Sequence, residues 1–446
     1  MSVPHNRYRY RIFLLLFSIA LINYIDRGAL SYAANDIVSE YAFTKVELGS
    51  VLSYFGIGYL VGSLCGGFLA DRFGTRRVWL VAGISWSILE MGCAYAGDLG
   101  MMLLSGSALM GFAIMRVLFG MAEGPAYVLM NKAISHWATD AERGVALGIG
   151  LVSTQVGALL TAPIAVGLLL LTDDWRLMFI LLGILSLITM IVFAVMFRDE
   201  PSQHPALSSD EQELLKQGQR SLKESLKALP WWRFFTSRTL VCNALGYFTF
   251  LYVTFTLVTW MPKYLQDNFH YNLHSLWYVA MIPWMGACFT VVLGGKLSDA
   301  LLKRFHSYRV ARNLFAALFL LLTGLCFMSI PLASSAFGVI VLMTLGNAMN
   351  GMVNNVYWSV VIDVSPRGSV GTYSGMTLGI ANLAAIIAPF MCGVLAELYG
   401  YNAMFVVTGG IALCSMVAML FLRPEKRFTH AGGYSPTDEQ VLAQEV

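Results

Sequence analysis

The sequence predicts an all-α membrane protein of twelve transmembrane helices in two six-helix halves. Hydrophobic residues make up 57% of its 446 residues and charged residues only 12%, whereas about 25% of an average soluble protein is charged. Apolar runs long enough to cross a bilayer recur along the chain, and one long polar stretch divides them into two sets of six. The net charge of +3 is too small to indicate a nucleic-acid partner.

The twelve spans follow from length and hydropathy, since about 20 apolar residues cross a bilayer as a helix. They begin near residues 11, 47, 78, 102, 142, 175, 239, 273, 310, 334, 369 and 401. The first span resembles a signal peptide, because RYRYR precedes apolar residues 12–22. Asp26 and Arg27 would interrupt such a peptide before a cleavage site near Ala33–Ala34. A first transmembrane helix behind a basic tail is therefore the preferred prediction.

The polar stretch RDEPSQHPALSSDEQELLKQGQRSLKESLKALPWWRFF (198–235) sets the domain boundaries. We predict an N-terminal half over 1–197, a cytoplasmic linker over 198–238, a C-terminal half over 239–422 and a cytoplasmic tail over 423–446. The run SSDEQELLKQ has an N-cap and an acidic first turn, which predicts a short surface helix.

The placement of Lys and Arg predicts the topology. With the N-terminus inside, only Lys45, Arg176 and Lys263 fall in external segments. Both termini are therefore expected in the cytoplasm, in a multi-pass protein of the cell inner (plasma) membrane.

An internal repeat supports the division into halves. GGFLADRFGTRR (66–77) ends the second span and GGKLSDALLKRF (294–305) ends the eighth. Their aspartates, Asp71 and Asp299, lie about half a chain length apart. A duplicated six-helix unit is typical of transporters whose substrate site lies between the halves near the bilayer midplane. Lys296, in the second copy, is expected at the cytoplasmic end, where its side chain reaches water.

Two acids and two bases stand out inside predicted spans: Asp26 and Arg27 in the first, Arg116 and Glu123 in the fourth. Arg116 and Glu123 are seven residues apart, so two helical turns place them on one face. Intramembrane charges usually face a bundle interior or an aqueous cavity and mark ion or substrate pathways. They indicate a proton-coupled carrier of anions, because an arginine grips a carboxylate and a desolvated acid takes up a proton. The alternative is a fixed ion-pair network that only joins the two helices.

Further polar side chains lie within spans. Candidates for contacts with substrate hydroxyls are Tyr24, Tyr59, Gln155, Asn355, Tyr357, Trp358 and Asn382. Asn355 and Trp358 share a helix face, and Tyr24 is two residues from Asp26. The alternative for the amides is that they bridge helices. Glu90 is expected either to face the cavity or to reach water near the outer end of its span.

The two loop motifs resemble those of the major facilitator superfamily. NYIDR, RVLFGMAEGP and SHWATDAERGVALGIGLVSTQVG are similar more specifically to its anion:cation symporter family, which includes bacterial galactonate, glucarate and hexuronate permeases. The resemblance covers nearly the whole chain. Two departures concern the substrate: Leu378 stands where galactonate permeases have asparagine, with Asn382 one turn on, and the segment from Trp86 to Arg116 is longer here.

The resemblance implies roles for individual residues. Asp26 and Glu123 would be the protonatable pair, Arg27 would hold the substrate carboxylate, and Arg116 would pair with Glu123 while lining the substrate site. The sugar-acid pocket would be lined by Tyr24, Tyr59, Gln155, Asn355, Trp358 and Asn382. A cytoplasmic gating relay would involve Asp71, Arg72, Arg76, Arg77 and, from the second motif, Asp299.

The predicted function is therefore proton-coupled import of an organic carboxylate, a sugar acid above all, by a monomer without cofactor. Alternatives are symport of an aromatic acid or a small dicarboxylate, and proton-coupled export. A drug antiporter is disfavoured because QVGALLTAPIAVG does not match its GxxxGPxxGG element. A membrane enzyme is disfavoured because the histidines form no HExxH motif; His270 and His274 could at most form a metal pair. A receptor or channel does not explain the duplicated loop.

Overall fold

The computed structural model describes residues 8–201, 204, 207, 212–213, 215, 231–365, 369–423, 426–428 and 434–436, almost all of them helical. It forms two compact units. The first comprises Met1–Glu224 and Val258–Met281, and the second comprises Ser225–Leu257 and Ile282–Val446. The predicted surface helix at 208–217 lies mainly outside the described residues.

The N-terminal part of the chain contributes nine helices to the first unit in its described residues. These are α1 (Tyr8–Tyr32), α2 (Ala34–Tyr41), α3 (Lys45–Phe73), α4 (Thr75–Cys93), α5 (Ala96–Leu103), α6 (Ala108–Glu123), α7 (Ala126–Trp137), α8 (Asp140–Thr172) and α9 (Trp175–Met196).

The rest of the described chain begins with a 3₁₀ turn at Trp231–Thr236. The helices that follow are α10 (Arg238–Phe269), α11 (Leu273–Val279), α12 (Ile282–Phe305), α13 (Phe315–Ser329), α14 (Ala336–Val364), α15 (Val370–Asn382), α16 (Ala384–Leu398) and α17 (Tyr401–Leu420). A π-helical turn (Arg309–Leu314) precedes α13, and a 3₁₀ turn (Ile330–Leu332) follows it. Strands β1 (Lys426–Phe428) and β2 (Tyr434–Pro436) pair antiparallel near the C-terminus.

Eleven helical segments in the described chain are long and apolar enough to cross a membrane, or twelve when α4 and α5, bent by 75°, count as one. The predicted all-α fold with twelve spans is confirmed. A helix is the natural solution in lipid because it satisfies its own backbone hydrogen bonds. Local signals set several ends: Thr44 and Glu47 form a reciprocal capping box at the start of α3.

The predicted start of the fourth span near residue 102 is wrong, because α6 begins at Ala108. Residues near 102 belong to α5, the extra helix in the segment that is longer here. Ser105 and Gly106 both adopt positive φ, at 57° and 77°, and end that helix in a turn. Ser107 then caps α6 by accepting a hydrogen bond from the Met110 amide at 3.3 Å.

Helix packing repeats between the units. In the first unit α3 packs along α6 and α4 along α9, which pairs the second span with the fourth and the third with the sixth. In the second unit α12 packs along α14 and α13 along α17, which pairs the eighth with the tenth and the ninth with the twelfth. The same pairing in each unit agrees with the repeat seen in the loop motifs.

Candidate functional site

Close packing of α3 on α6 depends on glycines. Gly58 and Gly62 on α3 face Gly120 on α6 and Gly124 at its C-cap, each pair four residues apart. A Cβ atom at Gly58 would overlap the carbonyl oxygen of Val117, and one at Gly120, Gly62 or Gly124 would overlap the facing backbone in the same way. Small residues at this spacing allow two helix backbones to touch. We call this contact the glycine seam.

Arg27 of α1 crosses to α6 and is held there by polar and aromatic groups. Its Nη2 donates to Oδ1 of Asn23 at 3.1 Å and to Oε1 of Glu123 at 3.5 Å. Both Arg27 and Glu123 are buried. Three ring centroids lie within cation–π distance of the guanidinium: those of Tyr59 at 4.6 Å, Tyr24 at 4.7 Å and Phe55 at 5.0 Å. Such contacts favour a desolvated cation.

Glu123 therefore pairs with Arg27, and the expected pairing with Arg116 is wrong. Arg116 lies two helical turns before Glu123 on α6, and in the described residues the ion pair of Glu123 is made by Arg27 instead. Arg116 is 1% exposed, and its guanidinium lies 4.9 Å from the Phe55 ring and 5.4 Å from that of Phe119. Its Nε and Nη1 atoms have no hydrogen-bond partner among the described residues. Arg116 is thus a buried cation with no carboxylate of the described residues in contact.

Asp26 faces a different part of the first unit from Arg27, because consecutive helical residues point about 100° apart. Its Oδ2 accepts hydrogen bonds from Trp86 Nε1 of α4 at 3.0 Å and from Ser186 Oγ of α9 at 2.8 Å. Its Oδ1 has no partner among the described residues. Asp26 is fully buried, so one carboxylate oxygen is stabilised by neutral donors while the other has no donor in the described chain.

Glu90 of α4 is also fully buried, so the expectation that it might reach water is wrong. Neither of its carboxylate oxygens has a hydrogen-bond partner in the described chain. Its electrostatic neighbours are Asp26, Arg116 and Glu123. Asp26, Arg27, Glu90, Arg116 and Glu123 therefore form one buried group inside the first unit, which we call the charged cluster.

The other predicted binding residues of the first unit lie on α1, α3 and α8. Tyr24 and Tyr59 border Arg27 through their rings. Tyr24 also packs against α8: a Cβ atom added at Gly157 of that helix would lie 2.6 Å from the Cβ of Tyr24. Gln155 of α8 is 4% exposed, and its Oε1 has no partner in the described chain. A buried amide oxygen of this kind is available to accept a hydrogen bond from a hydroxyl group.

In the second unit the predicted residues have mixed surroundings. Asn355 of α14 donates to the carbonyl oxygen of Val291 on α12, so its amide already joins two helices. Asn382 donates to the Leu378 carbonyl one turn earlier on α15, at 2.9 Å. The half-buried Trp358 lies against the Tyr247 ring with 5.5 Å between centroids, and its Nε1 has no partner among the described residues. Trp358 therefore retains a free donor, whereas the Asn355 amide already donates to a neighbouring helix.

The predicted gating residues form separate contacts at the helix ends. Asp71 pairs with Lys132 of α7 at 2.7 Å. The Arg76 backbone N–H donates to Asp199 at 2.7 Å, and its guanidinium donates to a carbonyl of α9. The Arg72 guanidinium lies 5.3 Å from the adjacent Phe73 ring, and Arg77 lies at the edge of an apolar cavity of about 570 Å³ between α3, α4 and α6.

In the second unit Asp299 pairs with Arg312 at 3.0 Å, and Arg312 also contacts Asp363 at 3.2 Å. Arg312 is buried. Beside the second loop motif, Arg312 thus contacts two acids, Asp299 and Asp363. Beside the first, Lys132 contacts one acid, Asp71.

Sequence reasoning missed the residues that complete the cluster, namely Asn23, Trp86 and Ser186. A signal for Trp86 was present, because it lies four residues before Glu90 and shares its helix face. Ser186 carried no comparable signal, since its role depends on how α9 packs against α1. No group of three or more His, Cys, Asp or Glu side chains in the described residues is placed to hold a metal ion.

The chain is similar in sequence to known proteins. The sequence profile of the Major Facilitator Superfamily matches residues 16–389. A hexuronate transporter of Bacillus subtilis is 28% identical over 93% of this chain and 94% of its own. A probable sulfoacetate transporter of Cupriavidus necator is 30% identical with the same coverage. A probable galactarate/D-glucarate transporter of Escherichia coli is 28% identical, again over 93% of this chain and 94% of its own.

Solved structures show the same fold. A bacterial homolog of the human lysosomal transporter Spinster, inward-facing and occupied, superposes with a TM-score of 0.75 at 17% identity, over 94% of this chain and 97% of that one. A D-xylose-proton symporter superposes with a TM-score of 0.74 at 16% identity, over 94% of this chain and 98% of that one. These likenesses concern the fold.

Proposed function

Because the chain belongs to the Major Facilitator Superfamily, we propose that it imports a sugar acid together with protons by alternating access. Aldonates, aldarates and hexuronates are the substrate class. The proposal is supported by relatives whose names include hexuronate and galactarate/D-glucarate transport. It is supported equally by buried guanidinium groups, which suit an anionic cargo.

The observation that carries the proposal is the contact between Arg27 and Glu123. Both groups are buried within membrane-spanning helices, and their closest atoms are 3.5 Å apart. A buried charge left without a partner is costly, so neither side chain can lose the other unless something replaces it. A substrate carboxylate replaces Glu123 at Arg27, and a proton neutralises the Glu123 carboxylate that is set free.

Coupling follows from that exchange. With substrate on Arg27, Glu123 becomes a buried acid that prefers its neutral form. When the substrate leaves, Glu123 returns its proton and pairs with Arg27 again. Asp26 is the second proton-binding residue, because its Oδ1 has no partner in the described chain. Each net positive charge carried inward gains about 2.3 kcal/mol per 100 mV of membrane potential.

The remaining assignments follow the sequence prediction. Arg27 and Arg116 bind carboxylate groups, and Tyr24, Tyr59, Gln155, Asn355, Trp358 and Asn382 bind the rest of the substrate. Asp71, Arg72, Arg76, Arg77 and Asp299 act in gating. The protein works as a monomer in the inner membrane with both termini in the cytoplasm.

A second candidate cargo is a small acid with two negative charges. The relative named as a probable sulfoacetate transporter is 30% identical over 93% of this chain. The charged cluster contains two guanidinium groups, of which only that of Arg27 has a carboxylate in contact among the described residues. Arg116 is therefore available for a second anionic group.

The proposal is tested by a thermal-shift screen of the purified protein, followed by uptake. Aldonates, aldarates, hexuronates, sulfoacetate, aromatic acids and simple dicarboxylates are compared, since a ligand that binds the folded state raises its melting temperature. The best ligand is then labelled and offered to proteoliposomes with an inward proton gradient. Accumulation against its own gradient is expected. Stabilisation by none of the acids, or uptake that ignores the proton gradient, would overturn the proposal.

A further inference from the structure

Glu90 is a buried acid that the proposed mechanism has not used. It lies on the face of α4 that also carries Trp86, one turn before it, and Cys93, close to one turn after it. Trp86 donates to Asp26, and Cys93 is fully buried and interacts with Arg116. Glu90 therefore lies between the Asp26 and Arg116 parts of the charged cluster.

The surroundings of Glu90 do not stabilise a permanent negative charge. Both oxygens lack a hydrogen-bond donor among the described residues, and the side chain is fully buried. An ionised carboxylate in such a place needs a cation close by. The charged groups that face it are Asp26 from α1 and Arg116 and Glu123 from α6. The other helices packed against α4 add no charged neighbour among the described residues.

Charge balance in the cluster depends on protons. With every group ionised, the three acids and two guanidinium groups would carry one net negative charge, which repels an anion. Each proton bound raises the net charge by one, so two protons give a net charge of +1, which matches a monoanion, and three give +2, which matches a dianion. Since Glu123 has a guanidinium in contact and Asp26 has two donors, Glu90 is the acid with the least support for its ionised form.

We propose that Glu90 is a third proton-coupling residue and the reversible counter-ion of Arg116. This rests on the proposed function. While a carboxylate group of the substrate occupies Arg116, Glu90 carries a proton and is neutral. When the substrate leaves, Glu90 releases that proton on the same side of the membrane, and its carboxylate balances Arg116. One proton is bound and one is released per cycle at Glu90, with no other bond made or broken.

The test measures proton stoichiometry in proteoliposomes of the full chain. With the membrane potential clamped at zero and a pH difference of about one unit, the inside-to-outside substrate ratio at zero net flux changes about tenfold for each coupled proton. Glu90→Gln is expected to lower that ratio about tenfold while counterflow exchange persists. Glu397→Gln, which removes an exposed carboxylate of α16, serves as the matched control and should leave the ratio unchanged.

Three outcomes are distinguishable. A wild-type protein that couples, with Glu90→Gln giving the wild-type ratio, overturns the role of Glu90 alone. A wild-type protein that shows no dependence on the pH gradient overturns the proposed function itself. Glu90→Asp keeps the acid and provides a test if the glutamine variant fails to fold: the substrate-induced carboxyl band in the infrared difference spectrum should shift. An identical band in wild type and Glu90→Asp also overturns the assignment.

Discussion

The two units share a packing scheme but handle buried polarity differently. The first holds three acids and two arginines within its membrane helices. In the described residues of the second, the buried charged side chain is Arg312, which is held between Asp299 and Asp363 beside a loop motif. Deeper in the second unit the polar groups are neutral. A duplicated architecture has therefore kept its helix contacts while its two copies acquired different chemistry.

Asparagines in the second unit serve mainly to join helices. Asn243 donates to the Tyr357 carbonyl, Asn347 to that of Pro283 and Asn350 to that of Phe250. Such bonds do not change with protonation, whereas every acid in the charged cluster can gain or lose a proton. We therefore propose that proton coupling belongs to the first unit and fixed hydrogen bonding to the second.

The largest effect is expected for Glu123→Gln. The amide cannot exchange a proton, so gradient-driven accumulation should be lost while exchange of internal for external substrate continues. Paired measurements of accumulation and counterflow in proteoliposomes check this. A variant that still concentrates its substrate normally would remove Glu123 from the coupling mechanism and with it the contrast between the units.

A strong effect on binding is expected for Arg27→Lys. A lysine retains the charge but cannot reproduce the planar fork of the guanidinium, and loss of one charge-assisted hydrogen bond weakens affinity by about 10- to 100-fold. Binding is followed by ligand-dependent melting temperature. Arg309→Lys, at an exposed position, is the control. Equal affinities for both variants would place Arg27 outside the substrate site.

A smaller effect, in stability only, is expected for Asn350→Ala. Loss of its bond to the Phe250 carbonyl, 3.2 Å long, should cost about 1 kcal/mol, as for other polar contacts between membrane helices. The melting temperature should fall, and the proton stoichiometry should stay at its wild-type value. A changed stoichiometry would show that the second unit also takes part in coupling.

The smallest effect concerns Glu40 of α2 and its dependence on pH. Hydrogen bonds from Arg176, and a further one from Trp175, hold the pKa of Glu40 below its usual value. Its contribution to stability is therefore present above the unfolded pKa and is lost as the pH falls through the folded one. Because the pair is partly exposed, Glu40→Gln should cost less than about 1 kcal/mol at neutral pH. Wild type and variant should converge in melting temperature under acid conditions; a difference that persists would contradict this.

The sequence predicted the spans well because length and hydropathy are local properties. It placed the start of the fourth span too early because the turn at Ser105 and Gly106 interrupts an apolar run without any charge. It found Asp26, Arg27, Arg116 and Glu123, since ionisable residues inside apolar runs are conspicuous. It misassigned the partner of Glu123 and left Glu90 undecided, because pairing and burial depend on side chains brought in from other helices.

The glycine seam has a consequence for how movement spreads through the first unit. Two helices whose backbones touch cannot slide past one another without collision, so α3 and α6 must tilt together. The ring of Tyr59 on α3 lies beside Arg27. Asp71 lies about 18 Å farther along the same unbroken helix and forms a salt bridge with Lys132. We therefore expect a shift of the Tyr59 ring to move α3 as a rigid rod and to displace the salt bridge at its far end.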